Sequence, residues 1–384
     1  MRVFLDNAAT TPIDSDVIEA MTKAMQNLTG NPSSIHKEGR TARSAIEESR
    51  KIVANTIDAS IGEIFFTSGG TESNNMALKC AVRDLGVTRI ISERLEHHAV
   101  LHTLDCLEKH NGVEVVYLNI DERGVIDLAH LETLLTQSDA KTLVSIMHSN
   151  NEIGTLNNVQ RISEICDANN AYFHTDMVQT MGYFPINVEK MKVSFISGSA
   201  HKFYGPKGVG FIYINGDNIV KPFIDGGAQE RNMRGGTENI YGIIGLGKAL
   251  TKAVENMDER RTHIESVRTY LKTQLSETFE DIRFNGDQED YHYKVLSVSF
   301  PPSPKNDLLL FNLDISGISA SGGSACSSGI DVGSHVLVGI NQPADRTTIR
   351  FSFSYHNTVE EIDFLVEKLR KIVEVKKDSL ASVT

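Results

Sequence analysis

The segment Glu63–Leu85, "EIFFTSGGTESNNMALKCAVRDL", changes character twice over a short span. Its opening is apolar and β-rich, its middle is a glycine turn, and its second half returns apolar residues at helical spacing. A strand that runs through glycines into a helix is the repeating unit of an α/β protein. The turn also leaves backbone N–H groups at the positive end of a helix, a place that suits a phosphate. Gly70 and Thr71 are the residues set there. Because a glycine turn capped by Thr or Ser opens many helices that hold no ligand, the rest of the chain has to decide.

Outward from this segment the same alternation continues. "SDVIEAMTKAMQN" and "GRTARSAIEESRKIVANTI" read as amphipathic helices before it. After it, "RIIS", "VEVVYL", "TLVSIMH", "AYFHTDM", "KVSFIS" and "GVGFIYI" are short β-branched or apolar runs, with helical stretches such as "VQRISEICDANN" between some of them. That pattern predicts a largely parallel α/β sheet flanked by helices. From about Asn256 it changes to a long amphipathic helix, "VLSVSF", a loop rich in glycine and serine, "TTIRFSFS" and a closing helix, which predicts a smaller α+β domain. The boundaries expected are 1–14 for an N-terminal segment that joins the small domain and the active site, 15–255 for the large α/β domain and 256–384 for the small one.

Composition fits an ordinary globular protein: 384 residues, 40% hydrophobic and 23% charged. The formal net charge of -12, without a basic patch or nucleic-acid motif, argues against a nucleic-acid partner. "MRVFLDNAATTP" lacks the apolar run of a signal peptide, and no segment is apolar for long enough to span a bilayer, so a cytoplasmic protein with no membrane partner is expected. The four cysteines, Cys80, Cys106, Cys166 and Cys326, form no CxxC pair, which argues against a disulfide framework and a zinc site.

In "SGSAHKFYGPKGVGFIYI", Lys202 lies between a strand end and a glycine-rich turn, where α/β folds place ligands. Buried there, its amine becomes a nucleophile toward carbonyls, the Schiff-base role lysine plays with pyridoxal phosphate. Asp176 ends the run "AYFHTD" and is placed to keep the pyridine nitrogen of that cofactor protonated; Gln179 follows, placed at the ring hydroxyl. His97 in "SERLEHHAVL" and Asn151 in "MHSNNEIGTL" sit at or beyond strand-like runs, the first to stack on the ring and move protons, the second to donate to the ring hydroxyl or the substrate. Cys80, Cys106 and Cys166 fall in helical apolar patterns and read as buried. Cys326, in "SASGGSACSSGIDVGSH", is surrounded by small residues that suit an exposed, mobile loop, about 318–334.

With these motifs in hand, the chain resembles a cysteine desulfurase of the NifS/IscS-like group, within the fold-type I pyridoxal phosphate enzymes. "LDNAATTP", "GNPSSIH", "FTSGGTES", "EHHAVL", "NNEIGT", "HTDMVQ", "SGSAHKFYGPKG", "MRGGTEN", "GGSACSSG" and "IRFSFS" occur in the family's order along nearly the whole chain. The resemblance implies that Lys202 is the Schiff-base lysine, with Ser199 and His201 of its motif and Gly70 and Thr71 on the phosphate. It implies that Thr237 reaches the phosphate of the other subunit of a homodimer. It implies that Arg350 holds the substrate carboxylate, that Asn31 lies in a motif lining the same pocket, and that no metal takes part. Cys326 is then the nucleophile that attacks the sulfur of L-cysteine, leaving alanine and a persulfide that is passed to an acceptor protein, an iron–sulfur scaffold or a thiolation carrier. An aminotransferase or selenocysteine lyase of the same fold is the nearest alternative, and a non-catalytic scaffold a more distant one. After "RKIVEVKKDSLASVT" there is no longer extension of the kind through which the closest housekeeping members engage a scaffold, so the acceptor stays open.

Overall fold

The computed structural model describes residues 1–303, 306, 308–322 and 333–373. Its strands are β1 (Val3–Phe4), β2 (Ile64–Thr67), β3 (Arg89–Ser92), β4 (Glu114–Tyr117), β5 (Thr142–Ser145), β6 (Tyr172–Asp176), β7 (Phe195–Ser199), β8 (Gly210–Ile214), β9 (Arg283–Asn285), β10 (Val295–Ser299), β11 (Ile318–Ser319) and β12 (Thr348–Ser352). Seven of these form the central sheet, in the order β2-β8-β7-β6-β5-β3-β4. β8 runs antiparallel to both of its neighbours, and the other six share one direction.

Helices cover this sheet, so strands such as β2, β3, β5, β7 and β8 are buried along their whole length. That explains why they read as continuous apolar runs instead of alternating ones. The helix Gly70–Leu85 follows β2 directly and stops at Gly86, whose φ of 71° is a left-handed cap. The helix Lys37–Thr56 begins two residues before the expected start, because His36 Nδ1 accepts the Gly39 N–H and caps it. The helix Ile240–Glu255 packs across Ser15–Asn27 and Lys37–Thr56. Its glycines allow that approach: a Cβ on Gly245 would meet Met21 Sδ at 2.7 Å.

The second, smaller sheet has the order β12-β10-β9, all antiparallel, with the helices Met257–Thr278 and Val359–Ile372 beside it. The chain start belongs structurally to this part: β1 pairs with β11 and Asp6 bridges to Ser352. It then carries Ala8 and Ala9 to the central sheet. Because β2, β3, β5, β6 and β7 are parallel, their carboxyl ends share one edge, and that edge is where ligands bind in open α/β sheets. Among the described residues no helix is long and apolar enough to cross a membrane.

Candidate active site

A cavity of about 280 Å³ opens at those five strand ends. Lys202 sits three residues beyond β7, and its Nζ donates to the carbonyl oxygens of Ala8 at 2.8 Å and Ala9 at 2.7 Å. The Tyr183 hydroxyl donates to the Lys202 carbonyl at 2.9 Å, fixing the main chain from below. His201 Nδ1 lies 3.2 Å from Thr10 Oγ1. Burial, followed by the charges of Lys202, Lys207 and Lys294, pushes the His201 imidazole down to about 3, so it is neutral at physiological pH.

Asp176 is the last residue of β6 and is buried. One carboxylate oxygen accepts the Val178 N–H at 2.9 Å and the other accepts Asn74 Nδ2 at 2.6 Å. Gln179 donates its side-chain amide to Ala8 O at 3.0 Å and leaves its buried Oε1 with no protein partner. His97 caps the helix His98–Asn111: its Nδ1 accepts the Ala99 N–H at 3.0 Å and therefore carries no proton. The Nε2 edge holds the N–H, and burial lowers the pKa of the ring. Ser199, Asn151 and Arg350 complete the wall.

Gly70 and Thr71 open the helix after β2 on the wall of the same cavity. The first-turn N–H groups there have no carbonyl within their own helix to pair with. A Cβ on Gly70 would meet Val178 Cγ2 at 2.6 Å, so any larger residue there forces Val178 to move. Arg350, on β12, is fully buried; its Nη1 donates to Asn151 O and its Nη2 to Asp6 Oδ1, each at 2.8 Å, while Nε has no partner. Asp6 in turn accepts from Ser321 Oγ at 2.7 Å.

Two expected residues lie away from this cavity, and a third is outside the described residues. Asn31 is exposed and uses its Oδ1 to accept the Ser33 N–H in the turn before the second helix. Thr237 is exposed and lines a separate small cavity with Ser68, Glu230 and Arg234. Cys326, with most of the loop expected at 318–334, lies outside the described residues. Cys80 and Cys166 are buried; Cys106 is only half-buried, since its helix turns it toward a shallow cleft beside Lys79, His98 and His102. Among the described residues no cluster of His, Cys, Asp or Glu is arranged to hold a metal.

Some lining residues escaped the sequence reading. Asn74 comes one helical turn after Gly70, a spacing that would have placed it on the same face. Ala8 and Ala9 contribute only carbonyls, which no side-chain pattern reveals. The rings of His98 and His335 also line the cavity, tilted by 33° with centres 4.6 Å apart, and His335 Nε2 donates to Glu96 O at 3.0 Å.

The model of the family described as "Aminotransferase class-V" matches residues 3–365. The chain belongs to the class-V aminotransferase family. Within it the chain is 43% identical to the cysteine desulfurase IscS of Dictyoglomus turgidum, over 97% of this chain and 95% of that protein. It is 41% identical to the IscS of Methanosarcina thermophila, over 97% and 92%. A solved NifS-like protein superposes with a TM-score of 0.89 at 38% identity, covering 97% of this chain and 99% of that one. A structure titled SspA in complex with cysteine gives a TM-score of 0.80 at 30% identity, over 93% and 100%.

Class-V aminotransferases carry pyridoxal phosphate, and the residues present fit it. The orphaned Gln179 Oε1 and the glycine cradle at Gly70 are features a packed, ligand-free interior has no use for. A half-buried lysine, a carboxylate at a strand end and a helix amino terminus supply the three functions the cofactor asks of a protein: an amine, a partner for the ring nitrogen and a phosphate seat.

Proposed function

We infer that this chain is a pyridoxal-phosphate-dependent cysteine desulfurase, converting L-cysteine to L-alanine and passing the sulfur to its own Cys326. The observation that carries the assignment is the convergence on one cavity of Lys202, Asp176 and Gly70 from separate strand ends of the central sheet and of Arg350 from β12, in a class-V aminotransferase fold. When bound, the cofactor supplies an electron sink that weakens the bonds around the substrate's α-carbon.

Everything else falls to the chain. Lys202 Nζ holds the cofactor and, once released, takes the α-proton. The Asp176 carboxylate, held between Val178 N–H and Asn74, faces the cavity as the counter-charge for a ring cation. Gly70 and Thr71 seat the phosphate. His97, neutral with its proton on Nε2, presents a flat face and a donor. Arg350 is the cation for the substrate carboxylate; because Asp6 and Asn151 already occupy its terminal nitrogens, the substrate shares or displaces Asp6. The Cys326 thiolate attacks the substrate sulfur, so that alanine leaves and the sulfur stays as a persulfide.

The active unit in this reading is a homodimer. Thr237 is exposed and away from the cavity of its own chain, a position suited to the phosphate of a second copy. The persulfide is handed to a thiol acceptor protein, an iron–sulfur scaffold or a thiolation carrier. Lys202→Ala tests the assignment: it lowers alanine formation from L-cysteine by at least about 100-fold and removes the absorption of lysine-bound cofactor. Full turnover by that variant contradicts the role given to Lys202.

A further inference from the structure

Between Lys221 and Arg234 every residue but Glu230 is exposed or half-buried. The Glu230 carboxylate is received by Arg50 as a two-pronged pair: Nη1 donates to one oxygen at 2.7 Å and Nη2 to the other at 3.0 Å. The Phe66 N–H, on the outer edge of β2, donates to the same carboxylate at 2.8 Å. Arg50 is buried as well; its Nε donates to Glu47 at 3.2 Å and its Nη1 also to Ile64 O at 2.8 Å. An exposed loop therefore stands on one fully partnered, buried ion pair.

The backbone at that point is strained. Glu230, Arg231 and Asn232 take φ of 44°, 56° and 64°, three successive left-handed residues with no glycine among them. A buried ion pair returns little net stability, because desolvation of both charges offsets their attraction. Strain held in place by such a pair fixes a shape more than it stabilises a fold. The shape it fixes is the approach to Thr237. The Gly235 N–H donates to Ile224 O at 2.8 Å, and a Cβ on Gly235 would meet Gly226 Cα at 2.7 Å, so the loop is pinched shut two residues before Thr237. Two residues after it, Asn239 Oδ1 accepts the Gly242 N–H at 3.1 Å and caps the helix Ile240–Glu255. Thr237 is exposed, yet its chain is fastened on both sides.

We propose that Glu230 is a positioning residue for the second subunit's active site: clasped by Arg50, it holds the strained turn that presents Thr237 to the cofactor phosphate of the other copy. The proposal rests on the reading of the active unit as a homodimer in which Thr237 crosses over. The same loop also touches its own chain's phosphate turn, through Phe66 in the strand that leads to Gly70 and through Arg234, whose Nε donates to Glu72 at 2.8 Å. A useful test separates these two directions.

Full-length hybrid dimers, purified through two different tags and holding a single intact Lys202, do so, because lysine-bound cofactor absorption then reports one site. In the first hybrid one subunit carries Lys202→Ala and the other Glu230→Gln. In the second, Lys202→Ala and Glu230→Gln share a subunit and the other is unaltered. Cofactor titration of the first gives the affinity of a hybrid with Lys202→Ala alone, whereas in the second the affinity falls about tenfold. Arg50→Lys, which keeps the charge and loses the fork, gives the same pattern should Glu230→Gln fail to fold. A loss in the first hybrid, or equal affinities in both, overturns the proposal, since the carboxylate would then serve its own chain or neither site. Thr237→Val, carried through the same two hybrids, tests the reading beneath. If it weakens only the second hybrid while Glu230→Gln does not, the proposal alone falls. If Thr237→Val leaves the second hybrid unchanged, or the two tags do not co-purify, the shared site falls and the proposal with it.

Discussion

At the scale of single residues, Gly70 gives the sharpest constraint. The space its missing side chain leaves is filled by Val178, with Ser199 just beyond it. Gly70→Ala therefore pushes against Val178 at the place assigned to the phosphate, and we expect cofactor affinity to fall about tenfold, a cost of ~1.4 kcal/mol. Val178→Ala, which removes the clashing methyl, restores most of that loss in the double variant. Equal affinities of Gly70→Ala and wild type, measured by cofactor titration, would take Gly70 out of the site. Lys202, Asp176 and the glycine turn were legible in the sequence because each is a chemically costly residue at the end of an apolar run. Asn74 and the carbonyls of Ala8 and Ala9 were not, since a polar residue in a helix and two alanines carry no chemistry until the fold aims them. The pairing of Arg350 with Asp6, 344 positions away in the chain, is likewise a product of tertiary structure.

At the scale of elements, the connection after β3 holds two buried carboxyls, Glu93 and Glu96, directly before His97. Glu93 Oε2 has no hydrogen-bond partner, while Glu96 accepts the Met147 N–H. Burial pushes Glu93 up to about 8, and burial together with Glu93 and Asp176 pushes Glu96 well above the usual carboxyl range. For Glu93 the folded state holds a proton that the unfolded chain releases above about 4.5. Its contribution to stability is thus fully present below about pH 4.5 and is lost as pH rises through about 8, an effect of order a few kcal/mol. Glu93→Gln removes this dependence: its urea midpoint gains on the wild type by more at about pH 8 than at about pH 5. An identical difference at both pH values contradicts the burial argument. The strands of the central sheet and six of the twelve α-helices among the described residues were legible in the sequence because apolar periodicity survives without tertiary context. Sequence reading did not single out the helix Ile240–Glu255, whose three internal glycines weaken helical propensity yet permit close packing on its neighbours.

At the scale of the whole molecule, the site belongs to neither sheet alone. The central sheet supplies Lys202, Asp176, His97 and the phosphate turn; the smaller sheet supplies Arg350; the chain start, paired with β11, brings Asp6, Ala8 and Ala9 between them. Fold class was readable from the order of strand-like and helix-like segments, whereas this threading of the amino terminus was not, because its pairing partners lie more than 300 residues away. In the proposed function, all of this serves desulfuration through Cys326. The measurement that tests it most directly is the yield of alanine and sulfide from L-cysteine with a thiol reductant, comparing wild type and Cys326→Ala at equal cofactor occupancy. We expect equimolar alanine and sulfide from the wild type and at least about a 100-fold loss of both in the variant. Undiminished production by Cys326→Ala, or cofactor-loaded wild type that makes no alanine, would contradict it.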